Sequence, residues 1–169
     1  MDWYWWLVGL IALYILVFFV LTPRIIPFMR KESLPTRIPR ALEEAIAQIE
    51  KDSKTPFEFI KGCSEYILST AHCGRVITLA RVDLAFERDT KKLLARRGFM
   101  HCHHLNHLMR LMLARSSLFT DEDIRLKLTF LNFNIHQYLQ VKVAGQWYDV
   151  DLGGDHMGVP LGKHAWLFR

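Results

Sequence analysis

Cysteine is scarce in this chain. Cys63, Cys73 and Cys102 are the three present in 169 residues, an odd number with no regular spacing, which excludes a fully paired disulfide framework. At least one thiol is expected to be free. A basic face of the kind that holds nucleic acid is missing too. The net charge is +5, but Arg24, Arg30, Lys31, Arg37 and Arg40 supply nearly all of it, and from Ala41 onward 17 basic side chains meet 15 acidic ones. A nucleic-acid binder should carry its positive charge on the folded face, so no nucleic-acid partner is expected. The sequence has no internal repeat and no low-complexity tract. Residues 3 to 22 contain no charge at all. No basic residue precedes that run and no small-x-small site follows it, which argues against a cleaved signal peptide.

At ~1.5 Å per residue this uncharged run covers roughly 30 Å, the thickness of a bilayer's hydrocarbon layer. A single membrane-spanning helix is expected over residues 3 to 22, with the bilayer as its partner. Trp3, Tyr4, Trp5 and Trp6 sit where amphipathic rings prefer the headgroup layer, and Arg24 marks the other end. Asp2 alone is charged before the run, whereas five basic residues follow within eighteen positions. The positive-inside rule then puts the remainder of the chain in the cytoplasm, a reducing compartment that keeps thiols free.

Residues 23 to 40 hold Pro23, Pro27, Pro35 and Pro39 among basic residues and read as an extended linker. One domain is expected over residues 41 to 169. Leu42, Ala45, Ile46 and Ile49 recur at helical spacing over Ala41 to Lys51, and a second helix is expected over Pro56 to Leu68 with Thr55 as its N-cap. The β-branched residues of Arg75 to Leu84 suggest a strand, after which Val82 to Ala95 turns back toward helical pattern. Gly98 breaks that pattern before a strong helix from Cys102 to Arg115, with Leu105, Leu108, Met109, Met112 and Leu113 on its apolar side. Asp121 to Asp123 reads as a polar loop or short turn. Arg125 to Phe133, His136 to Val143 and Gln146 to Val150 read as strands. Helices followed by an antiparallel sheet make the fold class α+β.

Negative charge is favoured at a helix N-terminus, so Cys102 is the best placed of the three cysteines for nucleophilic work. Cys63 and Cys73 read as structural. The segment from His136 to Asp151 alternates as a hairpin should, turning near Ala144 and Gly145. If Val143 faces Gln146, Tyr138 lies opposite Asp151, and His136 lies diagonally from it on the same face. Asp149 shares that face but falls opposite Gln140, which makes Asp151 the better partner for the imidazole.

This order, a Cys, a His opening a strand and Trp-x-x-x-Asp on the next strand, resembles the transglutaminase-like branch of the papain-like cysteine enzymes. The resemblance covers about Phe99 to Gly154. That branch typically reads His-Ala-Trp, where this chain has His136-Gln137-Tyr138, and follows its Asp with Pro, where this chain has Leu152. The resemblance implies a Cys102-His136-Asp151 triad. His136 takes the proton of Cys102, Asp151 steadies the imidazole, and the thiolate attacks an amide or ester carbonyl of a protein or peptide-like substrate. No cofactor is expected, and a metal requirement stays open.

Two other readings stay open. One is a catalytically inactive interaction module that keeps the fold. The other is a metal-binding protein using His103 and His107, four residues apart on one helical face; Cys102 projects about 100° away from His103, and the blander expectation puts His103, His104 and His107 on a polar or half-buried surface. Lys163-His164-Ala165-Trp166 repeats the His-Ala-Trp string, but no Asp-bearing strand is expected after it, so it is expected to be a decoy without a catalytic role. Gly153, Gly154 and Gly158 suggest a mobile loop beside Asp151, or ordinary turn chemistry.

Overall fold

The apolar run forms a helix, α1, over Trp3–Ile25, long and apolar enough to cross a membrane and with none of its most apolar stretch buried against the rest of the chain. The computed structural model describes residues 3–131 and 134–166. The helix does not stop at Thr22. Proline in a helix removes one hydrogen bond and presses its ring on the carbonyl four residues back. Here the chain widens to a π-helical stretch over Leu16–Leu21, and both the N–H and the hydroxyl of Thr22 donate to the Val17 carbonyl. Pro23 follows directly in the short α-helical turn Thr22–Ile25, where the helix ends.

The proline-rich segment that follows is a strap, not a spacer. Phe28 and Met29 are buried, and Leu34 and Ile38 pack on the main core. Phe28 adopts a positive φ of 60°, uncommon outside glycine and turns. That turn stacks its ring on His107 at 3.8 Å and presents its carbonyl to the Gln137 amide at 2.9 Å. Arg110 donates to the Glu32 carbonyl at 2.7 Å, and Lys31 to that of Ile124 at 2.9 Å.

Helix α2, Arg40–Asp52, buries Leu42 and Ile46. Helix α3, Pro56–Leu68, is capped as expected: the Thr55 hydroxyl accepts from the Glu58 N–H at 3.2 Å. Its buried face carries Phe59, Ile60, Cys63 and Ile67. A short strand β1, Ala71–His72, pairs in parallel with β2, Gly98–Phe99. Between them the expected strand over Arg75 to Leu84 is absent. Arg75–Ala80 is a helix, α4, followed by a 3-10 turn over Val82–Phe86 and the helix α5, Thr90–Ala95. Strand propensity reports fit to a pleated, half-buried surface. Among the described residues this segment pairs with no strand, and the Thr78 hydroxyl instead donates to the Gly74 carbonyl one turn back.

Helix α6, Cys102–Arg115, forms the centre of the core, and its burial runs all the way round. Leu105, Leu108, Met109, Met112 and Leu113 are buried as expected, but so are His103, His104, Asn106, His107 and Arg110. The sheet is antiparallel with strands in the order β3, Ile124–Leu131, β4, Asn134–Val143, and β5, Gln146–Val150. Phe133, the expected end of the first strand, lies outside the described residues. Ala144 and Gly145 both take positive φ, 49° and 84°, as a two-residue hairpin turn requires, and Val143 pairs with Gln146. The fold is α+β, with the central helix against the middle strand.

Candidate active site

Three elements end at one point. Cys102 opens α6, preceded by His101 in extended conformation. His136 is the third residue of β4, opposite Thr129 of β3. Asp151 directly follows β5, one step beyond the Leu139–Val150 pair. The right-handed twist of paired strands swings the diagonal neighbour inward, and the His136 Nε2–H donates to both Asp151 oxygens, at 2.8 Å each. That leaves Nδ1 for Cys102, the other hydrogen-bonding partner of the ring. His136 and Asp151 are both buried.

Burial, the largest influence on His136, pushes the imidazole toward neutrality. The hydrogen bonds and charges of Asp151 and Cys102 outweigh it and hold His136 up at about 10. Burial likewise pushes Asp151 up, but the hydrogen bond and charge of His136 and the N–H groups of Ala165 and Gly154 bring it below the usual carboxylate range. Those two N–H groups donate at 2.9 and 2.8 Å, so the carboxylate is fixed from three directions.

Gly153 and Gly154 do not form a loose loop. They are buried in a helical turn, α7, Leu152–Asp155, with Asp151 as its N-cap. A methyl group on Gly154 would meet Asp151 Oδ2 at 2.6 Å and Cγ at 2.8 Å, so this position has no room for a side chain. Gly154→Ala is therefore expected to displace the carboxylate, lowering stability by about 2 kcal/mol and slowing iodoacetamide labelling of Cys102. Denaturant titration and mass spectrometry check both, and unchanged labelling would contradict the role given to Asp151.

Asn106 and Gln137 tie the helix of Cys102 to the strand of His136. The Asn106 amide donates to the Gln137 carbonyl at 2.6 Å, in the core. Asn106 lies one turn after Cys102, and Gln137 directly follows His136. This bridge fixes the distance between the sulfur and the ring.

A cavity of about 100 Å³ is lined by Cys73, Cys102, His136 and Gly153 together with Leu131, Asn134 and Met157. A larger hollow of about 240 Å³, lined by Ser64 and Asp155 among others, also touches Asp151. It touches neither Cys102 nor His136, so it is the smaller cavity that holds the candidate Cys-His pair. Cys73 was expected to be structural, yet it faces this cavity. Burial, then the neighbouring Cys102 and Asp151, push its thiol up to about 12. Nothing in the local sequence places it there; the β1–β2 pairing does. Cys63 is a core residue, its thiol also pushed up to about 12 by burial and Glu50.

The histidines around Cys102 do other work. The ring nitrogens of His101, His103 and His104 meet the carbonyls of Arg81, Ala85 and Glu87 at 2.9 to 3.1 Å, pinning the 81–87 segment to α6. His107 pairs with the Thr90 hydroxyl at 3.1 Å. They are buried rather than surface groups, because the segment they hold covers them. His103 and His107, the candidate metal pair, thus spend their Nε2 atoms on protein partners, and among the described residues no group of three or more such side chains is arranged to hold an ion. The second His-Ala-Trp string takes part differently: His164 binds Asp149 at 2.7 Å and stacks on Tyr138, while the N–H of Ala165 holds Asp151.

No protein-family model and no curated protein matches this chain. A crystal structure of a TGase is similar in fold, with a TM-score of 0.51 at 11% identity over 70% of this chain and 34% of that one. The chain has a transglutaminase-like fold, and it spans about a third of that protein's length.

Proposed function

We propose that this protein is a membrane-anchored cysteine hydrolase or acyltransferase that acts on an amide or ester carbonyl through Cys102, His136 and Asp151. The observation that carries the reading is the buried imidazole held between a carboxylate at 2.8 Å and a cysteine at a helix N-terminus. His136 Nδ1 takes the proton of the Cys102 thiol. The sulfur bonds to the carbonyl carbon, and the carbonyl π pair moves to the oxygen, toward the Cys102 N–H at the start of α6. Collapse breaks the bond to the leaving amine or alcohol, which receives the proton from His136. Water or an amine then attacks the acyl-thioester, gives its proton to His136 and releases the sulfur. Asp151 holds the tautomer that leaves Nδ1 facing the sulfur and offsets the charge on the ring. Helix α1 serves as the bilayer anchor.

The test is the rate of iodoacetamide alkylation at Cys102, followed by mass spectrometry on the full chain in lipid nanodiscs. Labelling is expected to be fast already at about pH 6, and at least about tenfold slower in His136→Gln, which keeps a donor for Asp151 but supplies no base. Labelling that is slow, or indifferent to His136, would sink this reading in favour of an inactive interaction module.

A further inference from the structure

The reaction cavity is small. At about 100 Å³ it holds a reacting carbonyl and a few attached atoms. The body of any larger substrate must lie outside it, along walls that are mainly apolar. Leu131, Ile135 and Met157 line the cavity, with Asn134 as a polar neighbour. Gly74 and Thr78 line it too, and Ile77 packs over Gly74, its Cδ1 3.4 Å from where a Gly74 methyl would stand. Ile77 and Met157 are 40% and 37% exposed.

The membrane helix reaches the same walls. Phe130, adjacent to Leu131, lies 6.3 Å from the Phe19 ring and 6.5 Å from that of Tyr14. Tyr14 is the midpoint of Trp3–Ile25, about 16 Å up from the Ile25 end at ~1.5 Å per residue. A helix of this length crosses a ~30 Å hydrocarbon layer with little to spare, so Phe130 of β3 lies at the depth of the lipid tails, not above the headgroups. Leu128, on the same face of β3 as Phe130, is 38% exposed, which suits contact with lipid.

Resting on the acyl-transfer reading above, we infer that the cavity opens sideways into one leaflet and takes carbonyl substrates bearing a long alkyl chain, an ester, thioester or amide whose chain stays in the bilayer. The carbonyl enters between Cys102 and His136. The chain leaves over Leu131 and Met157 and runs along α1. A water-soluble peptide would find few hydrogen-bonding partners along these walls, where Thr78 and Asn134 are the polar side chains beside the Cys-His pair.

The experiment compares alkylation of Cys102 by 2-iodo-N-dodecylacetamide and by 2-iodo-N-ethylacetamide, on the full chain in phosphatidylcholine nanodiscs. In each case the sulfur displaces iodide. The dodecyl reagent is expected to react at least about thirtyfold faster, and that ratio is expected to fall about tenfold in Ile77→Ser and, separately, in Met157→Ser. Both variants keep α1, so partitioning of the reagent into lipid is the same and a lost advantage belongs to these walls. Equal rates for the two reagents, or a ratio unaltered in both variants, would overturn the inference while leaving an activated Cys102 in place. If neither reagent labels Cys102 faster than the buried Cys63, the acyl-transfer reading fails and this inference falls with it.

Discussion

Asp151→Asn is expected to lower kcat/KM for an activated ester such as p-nitrophenyl acetate by roughly 10³- to 10⁴-fold, the scale on which a wrongly oriented imidazole disables such a triad. In the native site the His136 Nε2–H donates to both carboxylate oxygens, which fixes the tautomer. An amide in that place offers one acceptor and one donor. The ring can then present Nε2 as acceptor to the amide and turn Nδ1–H toward the sulfur, so it no longer accepts the thiol proton. The asparagine oxygen can still accept from Gly154 or Ala165, and the melting temperature is expected to change far less than the activity. Without the negative charge, burial regains its hold on His136 and its proton affinity falls. An Asn variant that retains more than about a tenth of the activity would show that Asp151 does not orient the base.

Stability is expected to peak near pH 6.5 and to fall on both sides. On the acid side the cause is the buried histidines of α6. Burial, then the nearby imidazoles, bring His104 down to about 3 and hold His103 well below its ordinary range; burial and Arg110 bring His107 down to about 4. These groups are neutral when folded and take protons near pH 6.5 when unfolded. The unfolded chain therefore binds more protons as pH drops from 6.5 toward 4, and each imidazole removes about 1.4 kcal/mol per pH unit in that window. Against a typical 5 to 15 kcal/mol for a whole domain, two or three such groups suffice to unfold it before about pH 4. On the alkaline side the sign reverses. His136, raised to about 10, contributes stability that is complete below pH 6.5 and lost as pH rises through 10. Cys63 and Cys73, both raised to about 12, add to the loss above pH 9. Denaturant titrations across pH 4 to 9 check the profile. His104→Leu should flatten the acid limb, and a wild-type curve that stays level down to pH 4 would contradict the buried, neutral assignment.

The sheet half of the site was legible in the sequence because a hairpin has few degrees of freedom. Once Ala144 and Gly145 are read as a two-residue turn, strand alternation alone places His136 diagonally from Asp151. The helix half was legible from Gly98 and the apolar spacing after Cys102. The groups that complete the site depend on contacts between segments far apart in the chain, and local patterns do not encode them. The N–H of Ala165 reaches Asp151 from a string that looked like a stray motif. Cys73 reaches the cavity because β1 pairs with β2. The histidines after Cys102 are buried by the 81–87 segment, which has no strand to join and coils over them instead. Proline and charge made residues 23 to 40 look unattached, although the side chains that hold that segment down, Phe28, Leu34 and Ile38, are apolar residues scattered between them.

The strap also decides where this protein can be cut. A soluble fragment beginning at Ala41, the point where composition changes, would lose Phe28 from the His107 ring and the backbone carbonyls that receive Gln137 and Arg110. Gln137 sits next to His136, so such a fragment would loosen the strand that carries the imidazole. The seam between the apolar helix and the folded domain therefore lies at the foot of that helix, between Ile25 and Phe28, some fifteen residues upstream of where composition puts it.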